Sequence, residues 1–194
     1  AVAPGGEVLG IDISPDLTTA STKRASDAGV GNIRFICADA SNVQLPEAPF
    51  DRLFSRFGSM FFAEPHQAFA NLRSLLRPGA RIDLAVWAPP RDNLWMMEMM
   101  GVVRRHVDIP PAVPRAPGPF AFEDLEYLNE VLAAGGFSSP DIMAYTGQQP
   151  VGGVGATVQE AVSFVLSSMA VGKALDEQGT DVRAAAEGEL LELF

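Results

Sequence analysis

The chain has a single cysteine, Cys37, in 194 residues, which excludes an internal disulfide and a thiolate metal cluster. That usage suits a reducing, cytoplasmic setting. Long apolar runs are also missing. The longest, Leu84 to Ala88, is five residues, against roughly 18 or more for a membrane-spanning helix, so no membrane span is expected. The start, Ala1-Val2-Ala3-Pro4-Gly5-Gly6, has neither an initiating Met nor a charged-then-apolar leader. Basic side chains are scarce, 14 against 24 acidic for a net charge of -10. This balance disfavours binding to nucleic acid or to an anionic membrane surface and leaves a small molecule as the expected partner. There is no internal repeat, and nothing in the sequence speaks to oligomeric state.

What is present suits one globular core: 47% of residues are hydrophobic and 20% charged. The charge is unevenly placed. Residues 1–120 carry twelve acidic and twelve basic side chains, whereas residues 121–194 carry twelve acidic and two basic, so the whole acidic excess lies in the last third.

Val8 to Ile13 is a short apolar run containing an acid, the pattern of a buried parallel strand. Ser14 then offers an N-cap and Pro15 a first helical residue, with Gly29 as the stop, which predicts a helix over Pro15–Ala28. Ile33–Ala38 is a second strand, again closed by an acid, Asp39. Phe50–Ser55 is a third, Pro65–Leu76 a helix with Phe69, Leu72, Leu75 and Leu76 at helical spacing, and Ile82–Trp87 a fourth strand after an Arg77-Pro78-Gly79 turn. Strands separated by helices or loops describe an α/β domain with a largely parallel sheet. Leu94–His106 reads as helix. Val107–Phe120, with five prolines, reads as irregular, and Glu123–Ala134 as helix ended by Gly135-Gly136. Asp141–Tyr145 is a possible fifth strand, and Thr157–Phe194 is mostly helical.

In an open parallel sheet a ligand lies across the carboxyl ends of the strands. Asp12 and Asp39 end two strands expected to pair, which would set their backbones about 4.8 Å apart. A carboxylate only accepts hydrogen bonds, so one suits the two hydroxyls of a ribose and the other the exocyclic amine of an adenine. A strand-end Asp also caps turns, and both roles stand open for each acid.

The ordered series Gly10-Ile11-Asp12-Ile13-Ser14, Cys37-Ala38-Asp39-Ala40, Phe50 to Gly58 and Leu76 to Arg81 resembles class I S-adenosylmethionine-dependent methyltransferases, particularly the UbiE/COQ5-like group. The likeness covers about residues 5–90 and extends more weakly through residues 117–122 and 134–137. It implies a doubly wound, Rossmann-like α/β sheet and S-adenosyl-L-methionine as cofactor. In that family the acid matching Asp12, with Ile13 beside it, holds the ribose, the acid matching Asp39 takes adenine N6, Ala40 borders the adenine edge, and Ser55 and Arg56 border the methionine moiety. Two features of the family are missing. No strand with a G-x-G-x-G turn precedes the Asp12 strand; Gly5-Gly6 resembles the turn after the following helix, and Gly152-Gly153-Val154-Gly155 comes too late. The closing strand hairpin is also missing. A fragment truncated at both ends is therefore expected, with the break in the sheet between the Asp12 and Phe50 strands, unpaired backbone there, and poor cofactor binding. Within a single partial domain, residues 1–90 are expected as the cofactor half, 91–122 as a lid or insert, and 123–194 as helices with one strand.

Acceptor binding is assigned to Phe57 and Met60 after the third strand and to Trp87 and Trp95, the latter beside four methionines between residues 96 and 100. Met-rich surfaces adapt to apolar ligands, so an apolar or aromatic acceptor is expected, although core packing explains the same residues. His66 and His106 are the only histidines; each also reads as a helix-end residue, and no catalytic residue is assigned. Two other functions remain open: a nicotinamide-dependent Rossmann oxidoreductase, in which a strand-end acid also grips ribose, and a non-enzymatic module docking a basic partner through the acidic C-terminal helices.

Overall fold

The fold is described from a computed structural model, which describes Val2 and residues 5–194. Ala1, Ala3 and Pro4 of the amino-terminal stretch lie outside the described residues. The chain forms two compact units, one of residues 1–86 with 117–140 and one of residues 87–116 with 141–194.

The first unit opens with β1 (Val8–Asp12), α1 (Pro15–Asp27) and β2 (Ile33–Cys37). Ser14 caps α1 as expected, its side chain accepting from the Leu17 N–H, and Gly29 takes the left-handed φ of 65° that ends the helix. β1 and β2 pair in parallel from Val8↔Ile33 to Asp12↔Cys37. Next come β3 (Phe50–Arg56), α2 (Pro65–Ser74) and β4 (Leu76–Ala85). β3 and β4 also pair in parallel, as a separate two-stranded sheet. Among the described residues no strand joins the two sheets. The other edge of β1 and that of β3 therefore carry backbone groups no strand pairs.

Several expectations are corrected. The Arg77-Pro78-Gly79 turn lies inside β4. The register jumps from Phe50↔Leu76 to Arg52↔Arg81, so the extra residues loop out of the ladder as a bulge and the strand starts before them rather than after. β1 is half-buried along its length rather than buried, and Ile13 beyond it is 72% exposed. A buried parallel strand needs a neighbour on each edge and a layer on each face, and β1 pairs on one edge only. Asp141–Tyr145 is not a strand. Met143 and Tyr145 are 85% and 92% exposed, because an apolar segment without a ladder partner gains no strand hydrogen bonds.

The core of this unit lies on its helices. Phe69 of α2 is fully buried and meets Phe62, Phe122 and Phe137 edge to face at ring centroid distances of 6.0 to 6.2 Å. The fourth helix of the chain, called α4 here (Leu125–Ala134) and capped by the Asp124 carboxylate, packs on α2 through Tyr127, Leu128, Val131 and Leu132.

The second unit contains α3 (Leu94–His106), as the sequence predicts, together with α5 (Val158–Ser168), α6 (Ala170–Asp176) and α7 (Thr180–Leu193). Val107–Ala116 is irregular, as its prolines require. α5 starts with a capping box between Thr157 and Glu160. Met99, Val103, Val162, Val165, Leu175 and Leu190 form the core. α7 buries only Ala186 and Leu190, so much of its attachment to α3 is polar: Glu189 accepts from Arg105 Nε at 2.7 Å and meets His106 Nε2 at 3.0 Å. The Arg105 guanidinium foremost, with His106, holds the Glu189 carboxyl below the ordinary value of 4.5, against the opposing pull of burial. A carboxylate whose folded pKa is depressed adds stability above its unfolded value and loses it as the pH falls through the folded one. Acid titration below about pH 4.5 is thus expected to loosen α7. Amide exchange across α7 checks this, and Glu189→Gln is expected to remove that pH dependence.

No helix among the described residues is long and apolar enough to cross a membrane, and no group of His, Cys, Asp and Glu could hold a metal ion.

Candidate functional site

The carboxyl ends of β1 and β2 bring Asp12 and Asp39 to one end of the same parallel pair. Asp12 is the last residue of β1, level with Cys37, and the Ala38 N–H donates to the Asp12 carbonyl at 2.9 Å, which continues the ladder to within one residue of Asp39. Each acid also organises the turn that follows it. The Ser14 N–H donates to Asp12 Oδ1 at 2.8 Å, and the Ser41 N–H donates to Asp39 Oδ1 at 2.8 Å. The turn-capping reading is thus correct for both, and it leaves Asp12 Oδ2 without a partner among the described residues. The Ser41 hydroxyl and then its backbone N–H hold the Asp39 carboxyl below the usual carboxylate value, while burial pulls the other way. Asp39 is consequently an acceptor over the whole neutral range.

Ala40 follows directly and is held from α2. Asn71 Nδ2 donates to the carbonyls of Ala40 and Val43 at 3.1 and 3.2 Å. This clamp ties the loop after β2 to the helix that packs beside β4. Asn71 escaped the sequence reading because a single polar residue in a helix has no spacing that marks it; the only signal was a poor helix former among Phe69, Leu72 and Leu75.

Ser55 and Arg56 end β3, in the other sheet of the same unit. Ser55 Oγ accepts from the Ser59 N–H at 3.2 Å and so shapes the turn that follows. The exposed Arg56 guanidinium lies 5.7 Å from the centre of the Phe57 ring and has no ion pair among the described residues. Phe57 takes a left-handed φ of 58°, uncommon for a bulky residue. Met60 is 1% exposed, with its carbonyl accepting from the Gly118 N–H at 3.0 Å. Trp87 and Trp95 belong to the second unit, where their rings meet at 5.9 Å and 60°. Leu94 and Met97 on the same helix are 65% and 41% exposed. His66, at the start of α2, is exposed and lies 3.8 Å from Glu130, and His106 ends α3 against Glu189. Both histidines are thus tied to carboxylates at helix ends.

Two adjacent strand-end acids, a β–α–β unit between them and a third strand ending in Ser-Arg match a family pattern: the model of the methyltransferase domain matches residues 1–83. Residues 1–83 are thus similar to a methyltransferase domain, the family whose resemblance the strand-end residues carry. The chain is 28% identical over 151 residues to demethylmenaquinone methyltransferase of Thermus thermophilus, covering 70% of this chain and 66% of that protein. It is 32% identical over 95 residues to the ubiquinone/menaquinone biosynthesis C-methyltransferase UbiE of Stutzerimonas stutzeri, covering 48% of this chain and 37% of that one. It is also 32% identical over 89 residues to nocamycin O-methyltransferase of Saccharothrix syringae, covering 46% and 32%. The chain therefore spans from about a third to two thirds of the length of these relatives. The matched residues 1–83 contain Asp12, Asp39, Ser55 and Arg56.

Proposed function

We propose that this chain contributes to S-adenosylmethionine-dependent methyl transfer onto a small, apolar or aromatic acceptor, with Asp12, Ile13, Asp39, Ala40, Ser55 and Arg56 on the cofactor and Phe57 and Met60 toward the acceptor. The observation that carries the reading is the pair of acceptors at adjacent strand ends, Asp12 and Asp39. The hydroxyls of a ribose and the exocyclic amine of an adenine are all donors, so two carboxylates held open by serine-based turns fit a nucleoside. When bound, the cofactor supplies an electrophilic methyl group on a sulfonium. The protein's part is positioning and exclusion of water rather than covalent help. Asp12 accepts from the ribose side and Asp39 from the base. The Asn71 clamp fixes the Ala40 backbone at the base edge, and the Ser55–Met60 turn borders the reacting end. Phe54 and Phe61, 70% and 55% exposed, give that end an apolar rim. The names of the relatives, a demethylmenaquinone methyltransferase and a ubiquinone/menaquinone biosynthesis C-methyltransferase among them, support an apolar or aromatic acceptor.

The open second edges of β1 and β3 bear on affinity. With no strand among the described residues joining the β1–β2 pair to the β3–β4 pair, the platform under a bound cofactor is expected to lack backbone support, and binding weaker than micromolar is expected. Ligand-observed NMR with S-adenosylhomocysteine and, separately, NAD+ is the test. Binding of S-adenosylhomocysteine alone, in the high micromolar to millimolar range, is expected. Preference for NAD+ would favour the oxidoreductase, and binding of neither would end the nucleoside reading.

A further inference from the structure

The second unit holds a pocket outside the matched residues 1–83 that the cofactor reading does not use. Trp95 of α3 lines it together with the loop residues Gly147, Gln148, Gln149 and Pro150, and its volume is about 620 Å³. Small-molecule sites occupy roughly 300–1,000 Å³ and combine aromatic walls with a few polar groups. This lining has that makeup, and every residue in it belongs to the second unit.

The aromatic wall is braced within the unit. The Trp95 ring meets that of Trp87 at 5.9 Å and 60°, and these are the only two tryptophans of the chain. At the loop, a Cβ on Gly147 would stand 2.8 Å from Tyr145 Cε1. Glycine there lets the Tyr145 ring, 92% exposed, lie against backbone that lines the pocket. Both tryptophans and one of the two tyrosines of the chain thus stand at this pocket or against its lining. The polar part is two exposed carboxamides, and neither Gln148 nor Gln149 has a hydrogen-bond partner among the described residues. Each carboxamide offers donors and an acceptor, so the pair matches a group that is itself both, a phenolic hydroxyl. The lining contains no charged side chain. Residues 87–116 carry three acidic and four basic side chains and residues 141–194 carry eight and two, a net of -5 for the unit. An anion is repelled by that field, and a cation finds no carboxylate in the lining.

We propose that this pocket binds an uncharged, planar aromatic molecule bearing a hydroxyl, with the ring on Trp95 and the hydroxyl on the carboxamides of Gln148 and Gln149. The site goes beyond the nucleoside reading and does not depend on it.

The probe is 1-naphthol, titrated into the full chain without cofactor and followed by NMR at the two indole N–H signals and the glutamine side-chain amides. The Trp95 indole and the Gln148 and Gln149 amides are expected to shift together, with a dissociation constant of about 0.1–1 mM. Decahydro-1-naphthol, which keeps the hydroxyl but has no aromatic face, binds about 5- to 10-fold more weakly, and the anion 1-naphthoate is also weaker. Joint replacement Gln148→Ala and Gln149→Ala lowers 1-naphthol affinity about 3- to 10-fold and leaves the melting temperature unchanged, since both side chains are exposed and unpartnered. Trp95→Leu lowers affinity at least as much, and the glutamine variant decides the matter whether or not Trp95→Leu disturbs α3. An unshifted Trp95 indole at millimolar 1-naphthol would overturn the proposal. So would equal affinity for the saturated alcohol, or an affinity indifferent to the glutamine replacements. Binding of S-adenosylhomocysteine without 1-naphthol leaves the cofactor reading standing and sinks this inference; binding of 1-naphthol alone does the opposite.

Discussion

Phe69→Ala is expected to destabilise the first unit by about 3–5 kcal/mol, the usual cost of emptying a buried aromatic site. Phe69 has no exposed surface, and three other rings, Phe62, Phe122 and Phe137, stand edge-on to it. These rings come from the turn after β3, the segment before α4 and the segment after it, so one side chain joins three parts of the chain distant in sequence. Gly135 leaves no room for relaxation by a shift of α2, since a Cβ there would stand 2.8 Å from Phe69 Cβ. Collapse of the cavity is thus blocked on that side, which places the cost toward the upper end of the range. A total stability of about 5–15 kcal/mol is typical of a domain, so the loss is a large fraction of it. Urea unfolding with unchanged slope and a lower midpoint is the expected record, and Phe69→Leu is expected to lose less than half as much. The loss should also reach the site: with its partner ring gone, Phe62 is freed, and faster amide exchange is expected from Ser59 to Phe62.

Asp12→Asn separates the two roles of Asp12. Asparagine keeps a carbonyl oxygen for the Ser14 N–H, now 2.8 Å from Asp12 Oδ1, so the turn into α1 should persist and the melting temperature should move little. What is lost is the second acceptor oxygen and the charge, which the ribose hydroxyls require. Hydrogen bonds to charged groups contribute about 1.5–3 kcal/mol, so S-adenosylhomocysteine affinity is expected to fall about 10- to 100-fold. Asp12→Ala, lacking the turn acceptor as well, should lose both affinity and stability. An affinity unchanged in Asp12→Asn, with stability lost only in Asp12→Ala, would reduce Asp12 to a turn cap.

The sequence was most informative where local chemistry decides structure. Ser14-Pro15 and Gly29 marked both ends of α1 because capping and left-handed backbone are set by single residues. The apolar spacing over Leu94–His106 specified α3 in full. It was least informative where a distant partner decides. The apolar run at Asp141–Tyr145 lacks a ladder partner and stays irregular, and the Arg77-Pro78-Gly79 turn is absorbed as a bulge because flanking residues on both sides pair with β3. At the candidate site, the placement of Asp12 and Asp39 at the carboxyl ends of β1 and β2 was legible from the strand pattern. The Asn71 clamp on Ala40 was not, since it depends on contacts between segments that no spacing encodes.

The most direct test is amide chemical-shift mapping of the whole chain during titration with S-adenosylhomocysteine. Binding across the strand ends predicts perturbations at Ile13 and Ser14, at Ala40 and Ser41, and from Ser55 to Ser59, saturating together with one dissociation constant. Perturbations confined to α3, α5, α6 and α7, or none at millimolar ligand, would contradict it.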